Sequence, residues 1–146
     1  MGERARAAGA GAVAAGVWAV QEPLDQRLFG CDYSDVAIVG KALTRGAGWR
    51  PVGLALHVTN GALFGLAYHQ APQIMPGVGP RRLALGMALA EHVALYPLCY
   101  LVDRYHPARG EPGISPLFTN PRAFAQATWR HAVFGLVLGA FARPRR

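Results

Sequence analysis

Between Arg50 and Arg81 the chain runs for thirty residues without a single Asp, Glu, Lys or Arg. A helix on the surface of a water-soluble domain sets charged side chains on its outer face. A helix drawn from "PVGLALHVTNGALFGLAY" (51–68) has none to set on any face, and its eighteen residues suffice to cross a hydrocarbon layer about 30 Å thick. Three other segments share this character. The Ala-rich stretch 7–29 keeps Glu22, Asp25 and Arg27 to its last turns, 83–102 has Glu91 as its only acidic or basic residue besides histidine, and 123–142 has only Arg130.

The expected fold is all-α: a four-transmembrane-helix bundle in a single integral membrane domain covering 1–146, with helices at about 7–29, 51–69, 83–102 and 121–142. Composition points the same way, since only 16% of the residues are charged against roughly 25% in soluble domains. Basic residues ahead of the first Ala-rich run imitate a secretory signal, but no clear small-residue cleavage site follows and the helical pattern continues from Trp18 to Phe29, so this helix is expected to be retained. Nucleic acid is not the expected partner of the net charge of +7, because 14 of the 15 basic residues are Arg scattered singly or in pairs between apolar segments. The lipid bilayer is. Cys31 and Cys99 are too few and too far apart for a zinc motif or a disulfide framework, and no cofactor motif is present.

Prolines and caps set the connections. Pro72, Pro76 and Pro80 make the second connection extended. Asn120 and Pro121 form a cap and first turn for the fourth helix, while Pro51, behind Trp49 and Arg50 at the headgroup level, opens the second. In the first connection, "SDVAIVGKALT" (34–44) begins with a capping Ser and an early Asp and ends near a Lys, which predicts a short interfacial helix. Lys and Arg divide evenly, seven to each side, so the positive-inside rule leaves the orientation open; four crossings return both termini to one side, taken as cytoplasmic.

An internal repeat is visible. "ALFGL" at 62–66 recurs as "AVFGL" at 132–136, an offset of 70, and Glu22 and Glu91 stand 69 apart. The expectation is two repeated helical hairpins, each a Glu helix followed by a His helix. Gly61 with Gly65 and Gly135 with Gly139, each pair four residues apart, are expected to let helix backbones approach closely.

An ionisable side chain at mid-membrane costs at least about 2.5 kcal/mol, so those present should face one another or a cavity. Helical spacing puts His57, Asn60, Gly61, Phe64 and Gly65 on one face of the second helix, and His131 and Gly135 on one face of the fourth. The candidate intramembrane cluster is Glu22, His57, Asn60, Glu91, His92, Arg130 and His131. In one account Arg130 pairs with Glu91 or Glu22 while the histidines and Asn60 complete hydrogen bonds. In the other, Glu22, His57, Glu91 and His131 form a carboxylate and imidazole metal site, the weaker account because no Glu-x-x-His pair occurs on any helix. His69 and His106, near helix ends, are expected to be solvated.

The motifs "EPL" at 22–24, "HVTNGALFGLAY" at 57–68, "ALAEHVALYPL" at 88–98 and "RHAVF" at 130–134 resemble the YagU-type small inner-membrane proteins of bacteria, with departures in a shorter first connection and in Arg130. The resemblance implies a multi-pass location in the bacterial inner membrane. Three function classes stay open: a binding or structural membrane component acting with a membrane-protein partner or as a homo-oligomer, a proton-linked or small-ion transporter, and a metal-dependent membrane enzyme.

Overall fold

Three prolines and one glycine set the helix limits. Pro80 and Pro121 occupy first-turn positions, where a missing N–H costs nothing, and Gly30, at φ 61, ends the first helix in the left-handed conformation that glycine adopts most readily. The computed structural model describes residues 2–142, and these are helical without strands. The helices are α1 (Glu3–Phe29), α2 (Asp35–Leu43), α3 (Trp49–Gln70), α4 (Pro80–Leu95), α5 (Cys99–Tyr105) and α6 (Pro121–Phe141). A 3-10 turn at Tyr96–Leu98 joins α4 to α5, because Pro97 withholds an N–H from the ladder, so the two run on as one body. Arg143, Arg145 and Arg146, part of the charge tie, lie outside the described residues.

The long helices stand in the order α3, α1, α6, α4, each packed on the next, while α3 and α4 at the ends share almost no packing. Small residues make the two tightest contacts. A Cβ on Gly61 would overlap the Gly11 carbonyl and the Ala15 methyl, and one on Gly65 the Ala7 carbonyl. Across the molecule, a Cβ on Gly135 would come within 2.8 Å of Leu85 Cα, and one on Gly139 within 2.9 Å of Arg81 Cα. These contacts also fix direction. The start of α1 lies by the end of α3, and the end of α6 by the start of α4; Tyr68 links the pairs by donating to the Pro80 carbonyl at 3.0 Å. Both described ends of the chain are therefore at one end of the bundle.

Packing register corrects the expected equivalence of the two glutamates. Ala7 faces Gly65 as Ala84 faces Gly135, an offset of 77 in the first helices against 70 in the second. Glu22 then matches Cys99, and Glu91 matches Ala14. The spacing of 69 between the acids is not a structural correspondence, since small-residue contacts, not acid positions, decide the helix register.

The short helix α2 is not an exposed surface helix. After Gly30 the chain turns back along α1, so that Ser34 and Asp35 meet Glu22 and Trp18, which lie 7 to 11 residues, or about 10–16 Å, back from Phe29. From there α2 climbs beside α3 with Gly40 and Gly53 in backbone contact. The third connection folds over it: Lys41 pairs with Glu111 at 3.1 Å, and His106 Nε2 donates to the Ile38 carbonyl at 2.8 Å. His106 is thus a half-buried strut, contrary to expectation, and His69 is buried at 3% exposure.

By length and apolarity, one helical body among the described residues, Pro80–Tyr105, is able to cross a membrane. The other three long helices fall below that apolarity, with Glu22, Asp25 and Arg27 in α1, His57, Thr59, Asn60 and His69 in α3, and Arg122, Gln126 and Arg130 in α6; of these, Glu22, Asp25, His69, Gln126 and Arg130 are buried against neighbouring helices.

Candidate functional site

The expected single polar cluster is two adjoining ones. The first is built on Arg130, whose side chain is fully buried. Its Nε and Nη2 donate to the two Asp25 oxygens at 2.7 and 2.6 Å, a bidentate fork, and Nη2 also donates to the Tyr33 carbonyl at 3.2 Å. Its Nη1 donates to Asp35 at 2.7 Å and reaches Glu22 at 3.5 Å. These contacts occupy all five guanidinium N–H groups. Asp25 is as fully used, accepting also from Gln126 at 2.6 Å and Gln21 at 2.9 Å. Glu22 accepts from the Ser34 hydroxyl at 2.6 Å and the Asp35 N–H at 3.0 Å, while Ser34 Oγ caps Ala37 N–H. A carboxylate at the start of α2 suits the positive end of its dipole. The Tyr33 ring lies 4.4 Å from the guanidinium carbon, and burial, then the Asp35 carboxylate, push its hydroxyl well above the ordinary tyrosine range, so it stays neutral. Arg130 therefore ties α1, α2 and α6 into one knot.

Trp18 joins this knot to the second cluster. Its Nε1–H donates to Asp35 at 3.0 Å, and its ring meets His57 and His131 edge-on with centroids 5.3 and 4.7 Å away. Beyond it is a cavity of about 260 Å³ between α1, α3, α4 and α6, walled by Trp18, Phe64, Tyr96 and Phe134 and edged by Asn60, Glu91 and three imidazoles. Hydrogen bonding assigns the tautomers. His131 Nδ1 lies 2.7 Å from the Ala127 carbonyl and must donate, so in the neutral ring the lone pair is on Nε2, 3.8 Å from Glu91. His92 Nε2 meets Thr128 Oγ1 at 2.9 Å; that hydroxyl already donates to Phe124, so His92 is the donor. His57 Nε2 is buried with no protein partner.

Two expectations change at this point. Arg130 takes Asp25 and Asp35 as its main partners and Glu22 only at longer range, while Glu91 stands apart from it beside His131. The four candidate metal ligands do not converge, because Glu22 is committed to α2 and Arg130 while His57, Glu91 and His131 line the cavity; among the described residues no group of three His, Cys, Asp or Glu has metal-binding geometry. Asn60 is exposed at the cavity mouth and His92 is buried in its wall. Gly61 and Gly65 of α3 pack against α1, and Gly135 and Gly139 of α6 pack against α4.

Sequence reasoning passed over Asp25, Asp35, Tyr33, Gln126 and Trp18. A signal existed. Trp18, Glu22 and Asp25 fall on one face of α1 by spacings of four and three, and Gln126 and Arg130 are one turn apart on α6. Asp35 had no such signal, since only the backward turn of the chain brings it there.

No family model, curated protein or solved structure matches the chain, so the likeness to YagU-type proteins stands on the motifs quoted above.

Proposed function

We propose that this is a small integral membrane protein with four spans, a binding component of the bacterial inner membrane whose cavity receives a small molecule at mid-depth. One observation carries the reading. The charged side chains that are exposed on the four long helical bodies, Glu3, Arg4, Arg6, Arg27, Arg50, Arg81, Arg82, Arg104 and Arg122, all lie at the two ends of the bundle. From Arg6 to Arg27 along α1, and from Arg82 to Arg104 along α4 and α5, the distance is about 32 Å, which matches a hydrocarbon core. Between the two ends the outer surface offers Val13, Val17, Val20, Leu63, Val93 and Leu136, interrupted by Thr59 and, at the cavity, by Asn60 and a partly exposed Glu91, whereas Arg130, Asp25 and Glu22 are inside. Polarity is thus reversed from that of a soluble bundle. The two glycine-seated pairs, α1 with α3 and α4 with α6, form the repeated hairpins of this reading, and α2 is a re-entrant helix whose Ala37, Gly40 and Lys41 are buried against α3 and the third connection while Ala42 and Leu43 are exposed.

Single cysteines test each span in a background with Cys31 and Cys99 replaced by Ser. At positions 17, 63, 93 and 136 they should resist a membrane-impermeant maleimide in intact membranes and after permeabilisation, whereas position 45 or 82 should react once its side is accessible. Free reaction at any of the four, or a monodisperse chain in buffer without detergent, overturns the reading.

A proton-linked or ion-transport role is the second reading. What favours it is Glu91 itself, a carboxylate beside an imidazole lone pair in a cavity about 13 Å along α4 from Arg82.

A further inference from the structure

The cavity has an opening, a charge and a wall chemistry, and together they select a ligand class. Its opening is the gap between α3 and α4, where packing is nearly absent and the lining residues Leu56, Asn60 and Leu95 are exposed. On the membrane reading above, on which this inference rests, the gap faces acyl chains, so a ligand arrives from within the bilayer and must be lipid-soluble.

Charge then narrows the class. No Lys or Arg lines the cavity, but the carboxyl groups of Glu91 and Asp35 do. Asp35 is engaged by Arg130 and Trp18, whereas Glu91 has only the His131 contact at 3.8 Å. Behind the wall, one guanidinium stands against three carboxyl groups, Glu22, Asp25 and Asp35, so the neighbouring knot adds no positive field to the cavity. The remaining free polar atom with an assigned proton state, His131 Nε2, is an acceptor. An anion meets repulsion here, and a neutral apolar guest leaves an ionised Glu91 desolvated with only its 3.8 Å contact to His131. A cation satisfies Glu91, and Trp18, Phe64, Tyr96 and Phe134 give the wall an aromatic character, the ring face being the surface that attracts organic cations.

We infer that the cavity binds an amphipathic organic cation that enters laterally between α3 and α4, with Glu91 as its counter-ion.

The test compares benzyltrimethylammonium with neopentylbenzene, a neutral molecule of the same shape, using protein in lipid nanodiscs. Trp18 fluorescence in a Trp49→Phe, Trp129→Phe background reports occupancy, and calorimetry on the unmodified protein checks it. The cation should bind at least tenfold more tightly than its neutral counterpart, and Glu91→Gln should lower cation affinity at least tenfold while leaving neopentylbenzene bound no less tightly. Because the first comparison uses unaltered Glu91, a variant that fails to fold leaves it intact. Equal affinity of the two probes overturns the cation assignment but keeps the binding reading. Binding of neither overturns both, and a bundle that needs no membrane removes the lateral route altogether.

Discussion

The Arg130 knot and the Glu91 cavity lie on either side of Trp18 and both draw ionisable side chains inward, yet they differ in state. In the knot every donor of Arg130 and both oxygens of Asp25 are occupied. The cavity instead contains Glu91 with one long contact and His57 with an unpartnered nitrogen. Saturated polar groups fix a structure, because any change leaves a buried charge exposed to low dielectric. Unsaturated ones are a standing cost, and such a cost points toward a ligand. The difference teaches that burial of ionisable groups alone does not locate a site; spare hydrogen-bonding capacity beside open space does, since Gln126 Oε1 in the knot is also unpartnered but lines no part of the cavity.

Removing the cation of the knot is the strongest way to test this. Arg130→Leu leaves Asp25, Asp35 and Glu22 facing one another without a counter-charge, and breaking a buried ion pair from one side costs about 3–5 kcal/mol. Denaturation in detergent should show a loss of that size, and Arg130→Lys should recover only part of it, since an ammonium does not make the fork to Asp25. A loss under about 1 kcal/mol for Arg130→Leu would mean that the knot does not hold α1, α2 and α6 together.

A smaller effect is expected where α3 closes the cavity against α1. Gly61 lines the cavity and lies against Gly11 and Ala15, away from Arg130. Gly61→Val must push α3 off α1, at a cost of about 1–3 kcal/mol for overpacking. Gly86, on the same kind of helix but with nothing near its Cβ position, is the control: Gly86→Ala should stabilise by up to about 1 kcal/mol through helix propensity. If both substitutions act alike, the close contact at Gly61 is not what seats α3.

These glycines were legible in the sequence, and the ion network was not, for a physical reason. Helical spacing is local, so the small-residue pairs at 61 and 65 or 135 and 139 show themselves within one turn, as do the long helices and the caps at Ser34 and Asn120. Arg130 finds its partners 105 and 95 residues away, at Asp25 and Asp35. The acids chosen from sequence were those deepest in apolar text, Glu22 and Glu91, whereas the fold bends the first connection inward and supplies Asp35 from what looked like a surface helix. Likewise Glu22 and Glu91 looked equivalent at a spacing of 69, but backbone contacts, which composition does not display, set a register of 77.

The smallest effect on stability should come from Glu91→Gln. Its carboxyl group has a single ionic contact, at 3.8 Å, and its side chain remains 32% exposed, so deleting the charge removes little attraction while relieving some desolvation. Within about 1 kcal/mol, the variant should unfold like the unaltered protein. The amide keeps the shape and leaves the His131 bond to Ala127 untouched, so the cavity stays formed. Ligand binding and stability then separate at this one residue: a side chain that matters to a guest and hardly to the fold is what a binding carboxylate would be, and the reverse holds for Arg130. A loss above 2 kcal/mol in Glu91→Gln would erase that distinction and make Glu91 a second structural anchor.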